Sequence, residues 1–179
     1  MINIFINLVT ISRIIFAVII FVILAMKGNY LFALFLFFIA GMSDFFDGYL
    51  ARKYDATSQI GEILDPIADK ILILFLIFGL ALNLNSTLIA FIGAFIISRE
   101  IFVSALRDYS ARNNNVSATK VSYLAKIKTS IQLLTIFIYL LGLAADIMFL
   151  IVIADIFLII SLLITMYTGY EYTMKTFFN

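Results

Sequence analysis

Apolar residues in this chain fall into six long blocks: Asn7 to Met26, Tyr30 to Arg52, Gly61 to Leu82, Thr87 to Arg112, Ala125 to Leu143 and Ile147 to Tyr170. None alternates with the period of two that a half-wet strand requires. Each has about the 20 residues that a helix needs to cross a hydrocarbon core of roughly 30 Å. In lipid a span must satisfy its own backbone, so runs of this length and continuity predict helices rather than barrel strands. The joints carry ordinary turn chemistry: "KGN" after Met26, "NLNS" at Asn83 to Ser86, "NNNVSATK" at Asn113 to Lys120 and "LAAD" before Ile147. A polar loop, "KYDATSQI" from Lys53 to Ile60, separates the second block from the third.

Composition fits a membrane setting. Of the 179 residues, 64% are hydrophobic and 13% charged, with one proline, and the mean hydropathy is +1.14. A soluble domain is not built this way. The expectation is an all-α, polytopic integral membrane protein of six transmembrane helices, folded as one domain over residues 1–179. The absence of Cys and His excludes disulfides, thiol nucleophiles, the usual zinc sites and every Ser-His-Asp arrangement, leaving chemistry to carboxylates, Lys, Arg and hydroxyls. The first block lacks a basic leader and is interrupted by Arg13, so it reads as a retained helix rather than a cleaved signal. Crossing alternately, with both termini on one side, places all 12 Lys and Arg residues except Lys27 in or towards the same half. That asymmetry predicts cytoplasmic termini in the inner (cytoplasmic) membrane.

Against this background "SDFFDGYLAR", Ser43 to Arg52, puts two carboxylates where a bilayer would punish them. If the second helix ends near Arg52, Asp47 and Asp44 share a face about 8 and 12 Å from its end. The third helix runs the other way from near Gly61, placing Asp65 and Asp69 about 6 and 12 Å in. Four carboxylates thus converge at matching depths. Unpaired they would repel one another, and a divalent cation removes the conflict. An all-oxygen donor set favours Mg²⁺ or Mn²⁺. The plainer alternative is that Asp44 and Asp47 cap the helix or pair with Arg52 and Lys53. Gly48 and Ala51 form a smooth strip beside the carboxylates, whereas Gly41 and Gly93 read as helix-packing positions. Pro66, directly after Asp65, leaves two possibilities: the third helix starts at Asp65, or it starts near Gly61 and kinks.

Taken together, "DFFDGYLAR" followed by "GEILDPIAD" resembles the signature of the CDP-alcohol phosphotransferase family, with Asp44, Asp47, Gly48, Ala51, Arg52, Gly61, Asp65 and Asp69 at its fixed positions. The resemblance implies a six-helix membrane enzyme, a homodimer, that moves a phosphoalcohol group from a CDP-linked donor to an alcohol and releases CMP. It implies two divalent ions held by the four aspartates, with Asp69 also the general base, and a donor site of Gly48, Ala51, Arg52 and Gly61. "NLVTISR", Asn7 to Arg13, looks like the family's first-helix segment beside the nucleotide and adds Asn7, Thr10 and Arg13. "ISREIFVSALRDY", Ile97 to Tyr109, and "VSYLAKIKTSIQ", Val121 to Gln132, resemble the bacterial branch that takes CDP-diacylglycerol as donor and sn-glycerol 3-phosphate as acceptor. That likeness implies a phosphatidyl transfer giving phosphatidylglycerophosphate and CMP, in contact with the bilayer.

The residues themselves support an acceptor-phosphate pocket of Arg99, Arg107, Lys126 and Lys128. Arg99 lies well inside the fourth block, costly without an anion or a wet cavity, and Arg107 is close to the same face. The lysines stand at the start of the fifth block. Positive-inside anchoring or snorkelling towards lipid phosphate is the alternative for them and for Arg107, and pairing with Glu100 or Asp108 the alternative for Arg99. Asp155 has no evident partner. A sibling transferase with another acceptor (an inositol phosphate, serine or phosphatidylglycerol) is the nearest competing function. A divalent-cation transporter and a non-catalytic scaffold are competitors from other classes, and no nucleic-acid partner is expected.

Overall fold

The computed structural model describes residues 2–54, 59–113 and 123–178, with side chains except those of residues 2–6, 44–54, 59–60 and 62–63. Six helices lie among the described residues: α1 Ile2–Ala25, α2 Tyr30–Tyr54, α3 Gln59–Asn83, α4 Thr87–Arg112, α5 Tyr123–Ala145 and α6 Met148–Phe177. The expected helices are all present, several longer than their apolar cores. α6 continues past Tyr170 because its polar last turns still bond within the helix, Lys175 to Glu171 at 2.6 Å. α3 starts before Gly61 and runs unbroken through Pro66, so a start at Asp65 is excluded.

Three turns at one end close in the same way, each on one residue in the left-handed region: Lys27, Asn85 and Asp146. Each lets the chain fold back, with Gly28 N donating to Ile23 O at 2.8 Å, Ser86 N to Ala81 O at 3.0 Å and Ile147 N to Gly142 O at 2.9 Å. Side-chain caps start the next helices, Asn29 for α2 and Ser86 for α4. At this end Asn83, buried, donates to Leu24 O at 2.7 Å and to the Tyr30 hydroxyl at 3.0 Å, tying α1, α2 and α3 together.

α1 makes its broadest contact with α3 and α5 with α6, while α4 packs on α3 and α6. The core runs along the inner faces: Ala17, Ile20 and Leu24 of α1 meet Leu72, Leu76 and Leu80 of α3, with Ile92, Ile96, Ile136 and Leu140 behind. Leu31, Phe35, Phe91, Phe149 and Leu163 face outward and exposed, as lipid-facing residues would. Among the described residues four segments are long and apolar enough to cross a membrane: Asn7–Ala25, Thr87–Arg112, Tyr123–Ala145 and Met148–Phe177. Among the described residues α2 offers a shorter apolar stretch, Tyr30–Ser43.

Asp155 finds its partner one helix away, accepting a hydrogen bond from Tyr139. Gly93 is a packing position as expected: an added Cβ would meet Ile77 Cγ2 at 2.3 Å. Gly41 is not, since a Cβ there meets nothing within 4 Å; it lies on an outward face of α2. Gly93→Ala is therefore expected to destabilise by about 1–3 kcal/mol through overpacking against a stiff β-branched side chain. Gly41→Ala should leave the unfolding midpoint unchanged or slightly raised. Thermal unfolding of the two variants in detergent measures the contrast, and equal midpoints would refute it.

Candidate active site

α1 and α3 run parallel, and their first halves carry matched polar ladders. Thr10 and Arg13 are fully buried on α1, one turn apart on the face that meets α3. Asp65 and Asp69 stand one turn apart on α3. Thr10 Oγ1 donates to Asp65 Oδ1 at 2.9 Å, and Arg13 Nη1 to Asp69 Oδ1 at 2.6 Å. A guanidinium at that depth needs an anion, and Asp69 supplies it while keeping about half of its own side chain open, 47%. Asn7 and buried Gly61 sit one turn before Thr10 and Asp65, at the same end of the ladder.

Asp44, Asp47, Gly48, Ala51 and Arg52 lie on the last turns of α2, with their side chains outside the described residues. Among the described residues no group of three His, Cys, Asp or Glu gathers; the side chains of the quartet's two α2 members lie outside those described. The described pair, Asp65 and Asp69, offers carboxylate oxygens only, which fits a hard divalent ion.

One residue beyond Asp69 the helix turns to a second environment. A cavity of about 410 Å³ opens between α3, α4, α5 and α6, with Asp69 and Lys70 on one side and Arg99, Arg107 and Lys128 on the other. Lys70 bonds Ser104 of α4. Arg99, buried, donates to Glu100 Oε1 at 3.1 Å and to Thr168 Oγ1 at 2.7 Å, with its Cζ 5.9 Å from the centre of the Tyr172 ring, within cation–π reach. Lys128, also buried, bonds the same Glu100 oxygen. Gly169 makes room for the arginine: a Cβ there would stand 3.1 Å from Arg99 Nε.

The structure thus brings three of the four expected acceptor cations to one cavity and joins it to Asp69. Lys126 is not among them. Two residues before Lys128 on a helix, it points to the far side and is exposed. Of the two alternatives for Arg99, Glu100 is realised; Asp108 pairs with Arg112 at 2.9 Å on the surface. Sequence reasoning did not reach Lys70, Ser104, Thr168 and Tyr172 as site residues. Thr168 lies in a continuous apolar run and Tyr172 just beyond it, after Glu171, and only the buried charge of Arg99 signals that such partners must exist.

A profile of the CDP-alcohol phosphatidyltransferases matches residues 4–170. The chain belongs to the CDP-alcohol phosphatidyltransferase family. Similar proteins include the CDP-diacylglycerol–glycerol-3-phosphate 3-phosphatidyltransferases of Rickettsia felis, 40% identical over 76% of this chain and 74% of the relative, and of Rickettsia typhi, 38% identical over 80% of each. That of Haemophilus influenzae is 40% identical over 56% of this chain and 55% of its own. As a CDP-alcohol phosphatidyltransferase the chain has its signature split between the ends of α2 and α3, with the cavity directly alongside.

A cavity with four cations suits an oxyanion, because charge-assisted hydrogen bonds in a partly dry site are stronger than exposed ones. Lys128→Met should weaken binding of inorganic phosphate about tenfold or more, whereas Lys126→Met should leave it unchanged. Phosphate-dependent thermal stabilisation of the purified variants reads both. An equal loss in the two would show that surface charge, not the cavity, holds the anion.

Proposed function

We propose that this chain transfers the phosphatidyl group of CDP-diacylglycerol to sn-glycerol 3-phosphate, giving phosphatidylglycerophosphate and CMP. The observation that carries the reading is the junction of two environments on α3: the signature aspartate Asp69 opens onto the cavity that holds Arg99, Arg107 and Lys128. Membership of the family and the named activity of its relatives support the same reaction.

In this reading the acceptor's phosphate rests against Arg99, Arg107 and Lys128, with Lys70 beside it. Its free hydroxyl then lies towards Asp69. Asp69 takes the hydroxyl proton as the oxygen attacks the phosphorus that bears diacylglycerol, and the bond from that phosphorus to the CMP oxygen breaks. Arg13 fixes the Asp69 carboxylate, and Thr10 fixes Asp65, so neither has to find its orientation during the reaction. Asn7, Gly48, Ala51, Arg52 and Gly61 complete the donor side. Two Mg²⁺ or Mn²⁺ ions, held by Asp44, Asp47, Asp65 and Asp69, would supply charge neutralisation at the pyrophosphate.

All six helices cross the membrane in this reading, α2 and α3 with their carboxylate turns at the cytoplasmic surface, where both termini and the active site face. The diacylglycerol tails stay in the bilayer while the soluble acceptor enters from the cytoplasm. Residues 1–179 form one catalytic domain, and two copies associate as a homodimer. The protein resides in the cytoplasmic membrane.

Purified protein with CDP-diacylglycerol and Mg²⁺ should release CMP rapidly with sn-glycerol 3-phosphate, poorly with glycerol and hardly with serine or inositol. Arg107→Ala should raise the KM for the acceptor about tenfold or more with little change for the donor. Faster release with serine or an inositol phosphate would keep the family and overturn the acceptor. Asp44→Asn, Asp47→Asn and Asp65→Asn should each lower turnover by orders of magnitude and shift the divalent-ion requirement, whereas Asp69→Asn should depress the chemical step more than donor binding. Full activity in chelator would refute the metal assignment.

A further inference from the structure

The cavity contains an anion of its own. Glu100 presents a single oxygen, Oε1, to Arg99 at 3.1 Å and to Lys128, while 19% of its side chain remains open and it lines the cavity. Arg99 and Lys128 come from different helices and are both buried. Two of the three cations assigned to the acceptor phosphate are thus already shared by a carboxylate. We propose that Glu100 determines specificity: it is a resident anion that an incoming ligand must outmatch, so that the cavity takes doubly charged phosphate monoesters and refuses singly charged phosphodiesters.

The inference rests on the acceptor reading above and adds the rule by which the acceptor is selected. A protein in a bilayer is surrounded by lipid phosphodiesters, and a cavity lined by Lys70, Arg99, Arg107 and Lys128 would collect them if positive charge alone decided. A diester brings one negative charge and two unesterified oxygens. To reach Arg99 and Lys128 it must displace Glu100, exchanging one unit charge for another, or lie beside it with like charges adjacent. Neither exchange is favourable. A phosphate monoester carries about −1.5 to −2 at neutral pH and offers three free oxygens. It therefore gains attraction over the carboxylate it meets, and Lys128 has two further N–H donors beyond the one given to Glu100.

Methyl phosphate and dimethyl phosphate are nearly the same size and differ in this charge, so they serve as probes. Each is tested as a competitor of sn-glycerol 3-phosphate in CMP release, and separately by thermal stabilisation of the protein in a phosphate-free detergent. In the wild type, methyl phosphate should bind at least about tenfold more tightly than dimethyl phosphate. In Glu100→Gln the gap should close to about threefold or less, mainly because dimethyl phosphate gains. Glu100→Asp, which keeps the charge, should keep the gap. Equal binding of the two probes by the wild type, an unchanged gap in Glu100→Gln, or a gap lost equally in Glu100→Asp overturns the proposal. If Glu100→Gln does not fold, the wild type and Glu100→Asp still decide it. The thermal measurement needs no turnover. A monoester preference abolished by Glu100→Gln in a protein that does not use sn-glycerol 3-phosphate would overturn the reaction and leave this inference standing. Normal turnover with no effect of Glu100→Gln on the gap would do the reverse.

Discussion

A guanidinium with no exposed surface, set in the middle of an apolar helix, has to be met by an anion, and Arg13 of α1 meets Asp69 of α3. Desolvating that charge unpaired would cost several kcal/mol, so the register of α1 on α3 is not free to drift. Once Arg13 reaches Asp69, Thr10 falls opposite Asp65 a turn earlier. Ala17, Ile20 and Leu24 then pack against the leucines of α3, and Asn83 closes the far end on the Leu24 carbonyl. The ion pair and the apolar seam agree on one alignment, and the chemistry inherits its geometry from that agreement.

The same rule shapes the other half of the bundle. Buried Arg99 and Lys128 form a charge cluster with Glu100 across α4 and α5, and Thr168 of α6 completes it. Further along, Gln132 meets Thr165 and Tyr139 meets Asp155, so α5 and α6 are joined by polar contacts at successive depths. Interhelical contacts of this kind matter where apolar side chains find lipid as congenial as protein. Each buried polar group therefore fixes helix positions that greasy packing alone would leave loosely defined.

Helix order and approximate extent were legible in the sequence because hydrophobic blocks and turn residues act locally. The shared face of Asp65 and Asp69 was legible for the same reason, since an i, i+4 spacing determines it without reference to any neighbour. What the sequence could not supply was the identity of partners from distant helices. Arg99 had two candidate anions on its own helix, and only the fold selects Glu100 by bringing Lys128 to it. Asp155 lacked a partner on α6 and finds one on α5. Lys126 and Lys128 look equivalent in the sequence, yet helical rotation sends them to opposite sides. Gly41 and Gly93 are alike as letters, and the difference lies in whether another helix passes. The length of α3 beyond its apolar core was obscured by Pro66, which often marks a helix start and here sits inside one.

α3 carries both halves of the candidate site on one rigid rod. Asp65 and Asp69 address α1, Lys70 addresses α4 through Ser104, and Ile77 meets Gly93 of α4 further along. One residue added or removed between Asp69 and Ile77 would turn one set against the other by about 100°. This stretch can therefore absorb a changed side chain far more readily than a changed length, and drift in the size of the protein is pushed out to its joints.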